Sequence, residues 1–303
     1  MDAQTSPSFA AGAKPKFING KIVWAGGPSI KQHFALPEPI MYYIAKNPST
    51  PEVYKKLVRS CKYFFEKMQI LVVGNLYGNT KICLNEDCDG DERKEKCCFD
   101  IDFNKFSNKI WVTNNVCLDE ENISTFSSLI FPKLFRWNNI QLHGFADNIM
   151  FDDFKKVASF LTDISFVGCR IINDDGNVVM LDKIFEITTN IKDFEFCFFN
   201  DFSMINAATM KNICKLKNLQ NLEAFRLLFI PEIFNVEDLS NFIKNHQNTK
   251  ICFSFNDGIS EEYKVQVDAL IDTVIESEVP NRLINYAGQN QEKEKIMKDC
   301  YQD

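Results

Sequence analysis

Four cysteines lie close together in the sequence, around a strongly charged segment, and their spacing raises the question of a metal site. Cys83, Cys88, Cys97 and Cys98 supply thiols, which bind zinc as thiolates. Structural zinc sites usually take thiols from pairs spaced C-x₂₋₄-C, however, and adjacent residues of a β-strand point to opposite faces. We therefore predict that Cys97 and Cys98 diverge, that all four are ordinary strand thiols, and that the chain has no metal site and no cofactor.

The same segment begins like a calcium-binding loop. In DCDGDERKEKCC, which starts at Asp87, acidic residues alternate over the first five positions. Position six is Glu92, where such a loop requires glycine, and position twelve is Cys98, where it requires glutamate. The pattern therefore excludes an EF-hand.

No pattern of a catalytic centre accompanies the three histidines. His33, His143 and His246 are far apart in the sequence, and the chain has no G-x-S-x-G, H-E-x-x-H or phosphate-binding loop. We predict a protein that is not an enzyme and has no catalytic residues.

Composition narrows the class of protein further. The chain has 303 residues, 45% of them hydrophobic, and a formal net charge of −7, which argues against a nucleic-acid-binding surface. No apolar stretch of about 18 residues predicts a membrane span, and the first residues lack the apolar core of a secretory signal. Eleven cysteines, an odd number in a long chain, favour reduced thiols. We expect a cytoplasmic or nuclear protein with a core rich in its 28 phenylalanines.

The pattern along the chain predicts five regions. They are a mobile tail at 1–30, with a hairpin signal at Asn19-Gly20, a helical module at 31–70, a linking strand region at 71–105, a repeat array at 106–285, and a mobile tail at 286–303.

The helical module has clear boundary signals. Asn47-Pro48 ends its first helix, and Thr50 with Pro51 begins the second as N-cap and first residue. Residues 31–70 hold seven lysines and arginines against three glutamates, so the module is amphipathic and basic.

A repeat follows, in which six strand-like triplets alternate with helical patterns. The triplets are Ile110-Trp-Val112, Ile140-Gln-Leu142, Ile164-Ser-Phe166, Phe194-Glu-Phe196, Phe225-Arg-Leu227 and Ile251-Cys-Phe253. The helical patterns cover 121–130, 152–161, 178–187, 210–219, 236–245 and 261–277. Residues 161–171 fit L-x-x-L-x-L-x-x-N/C-x-L, with Cys169 at the N/C position. This predicts an α/β leucine-rich-repeat-like solenoid, with parallel strands on its concave side and helices outside. A plain α/β domain with evenly spaced strands is the alternative.

The helical module resembles an F-box. The residues that carry the resemblance are Leu36, Pro37, Ile40, Ile44, Leu57, Cys61, Lys62 and Phe64. Together with the repeats, the segment resembles the divergent F-box-related families of nematodes, although the residues between Ile44 and Leu57 depart from the usual leucine-rich pattern.

The resemblance implies a substrate-recognition subunit of a cullin-RING ubiquitin ligase of the SCF type. These eight residues would then bind a Skp-type adaptor, and the repeats would bind an unidentified target protein. Two alternatives stay open: the module packs onto the array as an N-terminal cap, or the chain is a protein-binding repeat protein with no link to a ubiquitin ligase.

The middle residue of each triplet should point away from the core and line the concave surface. The predicted target-binding residues are Trp111, Gln141, His143, Ser165, Glu195, Arg226 and Cys252. Tryptophan and arginine are frequent anchors of protein interfaces. A solvated sheet face without a ligand is the alternative.

Overall fold

The structure, a computed structural model, describes residues 16–18, 21–23, 33–78, 80–86, 88, 97–145, 148–199 and 201–301. Within these ranges no helix combines the length and the apolar character that crossing a bilayer requires. The predicted tail at 1–30 lies outside them except for two short strands, which pair antiparallel as the hairpin signal predicts.

The described residues form short strands distributed along the whole chain. The strands are β1 (Lys16–Ile18), β2 (Lys21–Val23), β3 (Ile70–Val73), β4 (Asn75–Tyr77), β5 (Lys81–Cys83), β6 (Cys98–Asp100), β7 (Lys109–Val112), β8 (Asn115–Asp119), β9 (Leu134–Arg136), β10 (Asn139–Phe145), β11 (Asn148–Met150), β12 (Asp163–Val167), β13 (Arg170–Ile172), β14 (Asp193–Cys197), β15 (Ala224–Ile230), β16 (Lys250–Phe255) and β17 (Arg282–Asn285).

Helices alternate with these strands. They are α1 (Glu38–Lys46), α2 (Pro51–Ser60), α3 (Lys62–Lys67), α4 (Ile123–Thr125), α5 (Phe151–Ala158), α6 (Leu181–Ile187), α7 (Thr209–Ile213), α8 (Val236–Asn245), α9 (Glu261–Glu276) and α10 (Gln291–Cys300). A π-helical turn, Phe126–Ile130, and a 3₁₀ turn, Phe131–Lys133, follow α4. The predicted helices at 121–130 and 210–219 are therefore shorter or less regular than the pattern indicates.

The chain divides into two compact units. The first comprises residues 1–115 and 128–138, and the second comprises residues 116–127 and 139–303.

The first unit begins with the predicted helical module. Thr50 caps α2, because its Oγ1 accepts a hydrogen bond from the amide of Val53 over 3.2 Å. Met41, Ala45 and Phe64 form the small core of the three helices. The buried hydroxyl of Tyr54 accepts a hydrogen bond from the amide of Ile70 over 2.9 Å. This bond joins α2 to the start of β3.

Six further strands, β3 to β7 and β9, belong to the first unit. β4, β5 and β6 pair antiparallel in sequence order. β3, β7 and β9 form a parallel sheet with β7 in the centre. The triplet Ile110-Trp-Val112 belongs to β7, so the prediction that it is the first strand of the array is wrong. It pairs instead with β3 and β9, far from it in sequence.

The second unit holds a large, mostly parallel sheet with interleaved helices, and this confirms the α/β class. Its strand order is β17-β16-β15-β14-β12-β10-β8. β12, β14, β15 and β16 pair parallel in one register, in which Ile164, Phe194, Phe225 and Ile251 lie opposite one another. β10 is offset by two residues, because Leu142 rather than Ile140 lies opposite Ile164.

The apolar members of these five triplets form the core of the second unit. Each is at most 2% exposed. Rings from α6 and α8 contact them: Phe185 lies 4.4 Å from Phe194, and Phe242 lies 4.6 Å from Phe225, between ring centroids. Phe154 of α5 and Tyr263 of α9 approach Phe166 and Phe255 on the same face of the sheet. The alternate residues of these strands therefore point away from the helices.

The end of the chain differs from the prediction. Residues 286–303 are predicted to be a mobile tail, yet α10 occupies most of them. Asn290 caps the helix through its Oδ1, Met297 is buried, and Lys293 Nζ lies 2.6 Å from Asp272 Oδ1 of α9. The pattern does not predict this helix, because most of its residues are charged and only a narrow apolar side of it is buried.

Candidate functional site

The structure divides the eight predicted adaptor-binding residues into two groups. Leu36, Pro37 and Ile40 are exposed at the start of α1. The others face inward or are half-buried: Phe64 is part of the core of the module, Ile44, Leu57 and Cys61 pack against that core, and Lys62 is half-buried. The second group therefore shapes the module, and only the first is available to a partner.

An exposed apolar stripe, which we call the α1 stripe, runs along the first helix. It consists of Leu36, Ile40 and Tyr43, whose exposed fractions are 49%, 46% and 67%. Ile40 and Tyr43, three residues apart, lie on one side of α1, and Leu36 lies two residues before its first residue, Glu38. Exposed basic side chains follow on α2 at Lys55, Lys56 and Arg59. The module thus presents both apolar and basic groups on its surface.

The face of the large sheet opposite the helices, here called the open face, carries six of the predicted target-binding residues. His143, Ser165, Glu195, Arg226 and Cys252 lie opposite one another on successive strands. Gln141 lies two residues before His143 on β10 and accepts a hydrogen bond from the Cys117 thiol over 3.5 Å. The predicted row is therefore brought together, with the exception of Trp111.

Arg226 forms two ion pairs on the open face. Its Nη2 lies 2.5 Å from Asp193 Oδ1, and its Nε lies 2.9 Å from Glu195 Oε2. Ser165 donates to the other oxygen of Glu195 over 3.3 Å. Burial lowers the pKa of Arg226, but the hydrogen bonds and charges of both carboxylates outweigh it and raise the pKa overall. The guanidinium thus bridges two carboxylates of β14.

Asp163 adds a carboxyl group next to this cluster. Burial raises its pKa, and the charges of Asp193 and Glu223 raise it further, against a hydrogen bond from Thr162 that lowers it. The same low-dielectric surroundings raise the pKa of the Cys117 thiol to about 12. Carboxyl groups therefore dominate this end of the open face.

Trp111 lies elsewhere, which corrects its predicted place on the concave surface. It is buried in the first unit against Tyr54 and Ile70. The guanidinium of Arg136 lies 5.0 Å from its ring centroid, and both residues line an open cavity of about 610 Å³. Ile110, Trp111 and Val112 are all buried, so β7 is covered on both faces, as in a central strand of a parallel sheet.

Two exposed phenylalanines were not predicted by the pattern of buried apolar residues. Phe199 and Phe229 are 61% and 45% exposed, and their ring centroids lie 5.8 Å apart. Phe199 follows β14, and Phe229 lies near the end of β15. Both have a left-handed backbone, with φ of 30° and 58°, respectively. Left-handed phenylalanine is rare, and such strained residues concentrate at functional sites. The register shift between Leu227 and Ile230 accompanies the second.

Comparison with protein-family models and with curated proteins gives no match for this chain. A fold alone does not define an activity. The α1 stripe and the open face are the candidate functional surfaces of the chain.

Proposed function

We propose that the protein is a non-catalytic adaptor of the F-box type, in which the α1 stripe binds a Skp-type adaptor of a cullin-RING ligase and the second unit binds the target protein. The single observation that carries the proposal is the α1 stripe. Leu36 and Ile40 remain exposed although the module already has a core of its own.

Contact between a row of large apolar side chains and water is unfavourable, and monomeric proteins rarely expose such a row. In this module Met41 and Phe64 already fill the interior, so the stripe is not needed to hold the three helices together. An amphipathic helix with a spare apolar side is the form that docks into a hydrophobic groove. The basic residues of α2 favour a partner with acidic groups around that groove.

We further propose that the second unit is a leucine-rich-repeat-like solenoid. Two observations support this arrangement. Strands β12 to β17 of the sheet follow one another in chain order, and the rings from α5, α6, α8 and α9 all contact one face of it. Stacked strand and helix units of this kind leave the other face open for an extended protein ligand.

The open face offers carboxylates to the target, together with one engaged guanidinium. Asp163, Asp193 and Glu195 favour a segment with basic or hydrogen-bond-donating side chains. In this proposal Phe199 and Phe229, rather than Trp111, are the aromatic residues that contact the target protein.

The test is binding of the full chain to a recombinant Skp-type adaptor, measured by titration calorimetry. We expect the wild-type chain to bind and Ile40→Asp to weaken binding at least about tenfold, because a charge in an apolar interface costs more than the roughly 1.4 kcal/mol that a factor of ten represents. Circular dichroism should not change, because Ile40 is half exposed.

Val265→Asp is the matched control, since Val265 is an exposed apolar residue on α9. It should leave adaptor binding unchanged. If the folded wild-type chain does not bind the adaptor, the protein is a protein-binding repeat protein without a ligase. If Ile40→Asp binds as well as wild type, the α1 stripe is not the docking surface.

A further inference from the structure

The sulfur atoms of four cysteines converge in the first unit. Cys83 Sγ lies 3.1 Å from Cys97 Sγ, and Cys88 Sγ lies 3.3 Å from Cys98 Sγ. All four sulfurs lie within 4.8 Å of one another. The prediction that Cys97 and Cys98 point apart is therefore wrong. Cys97 precedes β6 in a turn, where the alternation of side chains along a strand does not apply.

From this geometry we propose that Cys83, Cys88, Cys97 and Cys98 bind one structural zinc ion. Four sulfurs at the usual zinc–sulfur distance of about 2.3 Å in a tetrahedron stand about 3.8 Å apart. Two of the observed separations, 3.1 and 3.3 Å, are somewhat shorter than this value, and all four sulfurs lie within 4.8 Å of one another. A site with four protein ligands has no open position for substrate, so its role is to stabilise the fold.

The surrounding backbone holds the sulfurs in place. Cys83 and Cys98 lie opposite each other in the antiparallel pairing of β5 and β6, and the amide of Leu84 donates to the carbonyl of Cys97. These contacts fix three of the four ligands on two adjacent strand ends. A strand pair alone would not place the fourth ligand.

Cys88 is placed by the buried side chain of Asn75. Its Nδ2 donates to the carbonyls of Asn85 and Glu86 over 3.0 Å each and to that of Cys88 over 3.3 Å. The hydroxyl of Tyr77 also donates to the carbonyl of Cys88. One side-chain amide thus holds the backbone of Asn85, Glu86 and Cys88 next to β4.

Gly74 permits the close approach of this segment. A Cβ at position 74 would lie 2.6 Å from the carbonyl carbon of Asn85, which no real side chain tolerates. The segment is therefore built to bring Cys88 against β5 and β6, and the convergence of the sulfurs is a consequence of specific backbone contacts.

Zinc binding would change the protonation state of the cluster. Zinc would convert four thiols to thiolates and release four protons to solvent. No disulfide joins the cysteines, all of which lie among the described residues.

The experiment is metal analysis of the full chain, purified under reducing conditions, together with titration of the metal-free protein with Zn²⁺ and Co²⁺. We expect about one zinc per chain and, with Co²⁺, the sulfur-to-cobalt charge-transfer and visible bands of a tetrahedral thiolate site. Chelation should lower the melting temperature, and Zn²⁺ should restore it.

Cys88→Ser and Cys98→Ser should lose the bound zinc and the cobalt bands. Cys214→Ser is the matched control, because Cys214 is a half-buried cysteine of the second unit whose thiol bonds the Asp238 carbonyl. It should retain both. If a serine variant does not fold, the cobalt spectrum of the wild-type chain still shows whether the thiolate site exists.

Three outcomes would overturn the proposal. The first is a folded wild-type chain with neither zinc nor cobalt bands. The second is a different metal at the same stoichiometry. The third is an intact mass that shows disulfides pairing Cys83 with Cys97 and Cys88 with Cys98. Because adaptor binding is not measured in this experiment, failure of the zinc site leaves the proposed function standing, and the reverse also holds.

Discussion

Glu195 lies directly opposite Arg226 in the parallel pairing of β14 and β15, and Arg226 Nε donates to Glu195 Oε2 over 2.9 Å. The same guanidinium bonds Asp193, so one cation separates two carboxylates of a single strand. Both carboxylates are about two-thirds buried, which makes the pairing stronger than a surface ion pair.

Arg226→Met should lower the free energy of unfolding by about 2 kcal/mol, because it leaves two half-buried carboxylates side by side. Urea unfolding measures the change. A double-mutant cycle with Glu195→Gln should give a coupling of about 1 kcal/mol or more. Arg170→Met is the control: Arg170 pairs with Asp201 at 3.3 Å and is more exposed, so the loss should stay below about 0.5 kcal/mol. Equal losses in the two variants would refute a special role for Arg226.

Asp163→Asn should stabilise the protein at neutral pH by no more than about 1 kcal/mol. Burial and neighbouring carboxylates raise the pKa of Asp163 in the folded state. The folded state therefore holds this proton more tightly than the unfolded chain, and stability is lost as the pH rises through the raised pKa. The asparagine variant does not have this loss.

Urea unfolding of both proteins between pH 3 and pH 7 measures this effect. We expect the difference in unfolding free energy to be smallest at the acid end, where Asp163 is protonated in both states, and to grow with pH. Asp175→Asn is a suitable control, because hydrogen bonds from Asn177 lower the pKa of this exposed carboxyl. Its pH dependence should have the opposite sign.

Tyr54→Phe should destabilise the first unit by about 1–2 kcal/mol. The change removes the acceptor of the Ile70 amide and the donor to the Met68 carbonyl, both in a buried position. Thermal unfolding measures the loss. Tyr43→Phe, at an exposed tyrosine of the α1 stripe, should change stability by less than about 0.5 kcal/mol. A neutral Tyr54→Phe would mean that water replaces the hydroxyl.

Arg282→Met should lower the free energy of unfolding by about 3 kcal/mol or more, since the buried guanidinium of β17 donates to several backbone carbonyls. Its Nη2 donates to the carbonyls of His246 and Gln247, just beyond α8, over 2.8 Å each. Its removal leaves several buried acceptors without donors. Denaturant unfolding measures the loss, and Arg282→Lys should recover part of it.

A second measurement on Arg282→Met concerns His246. Burial lowers the pKa of His246, and the charge of Arg282 lowers it further. Without that charge the imidazolium is favoured, so NMR titration should show a higher pKa for His246 in the variant. An unchanged pKa would mean that the guanidinium does not act on this ring.

The α/β class and the positions of most strands and helices of the second unit were predictable from the sequence. Segment 236–245 is predicted as a helix and is α8, because its apolar spacing matches the helical period and Asn235 caps it. Five triplets are strands of one parallel sheet, because each buries both of its apolar residues. The register was not predictable, however. Only the paired strands place Arg226 opposite Glu195.

The first unit was harder to predict, because its pairings join residues that are far apart in the chain. Ile110-Trp-Val112 has the pattern of an array strand, but the pattern carries no information about the partner, and β7 pairs with β3 about forty residues earlier. Whether the side chains of Cys97 and Cys98 converge depends on the residue at which β6 begins. One residue decides whether Cys97 follows the alternation, and strand ends are the least predictable feature of a sequence.

Neighbouring strands of the large sheet from β12 to β17 are also neighbours along the chain. A whole strand and its helix can therefore be inserted or deleted without rerouting any other connection. In the solenoid proposed above, evolution can therefore lengthen or shorten the protein by one strand and helix at a time, which adjusts the area that it offers to a ligand.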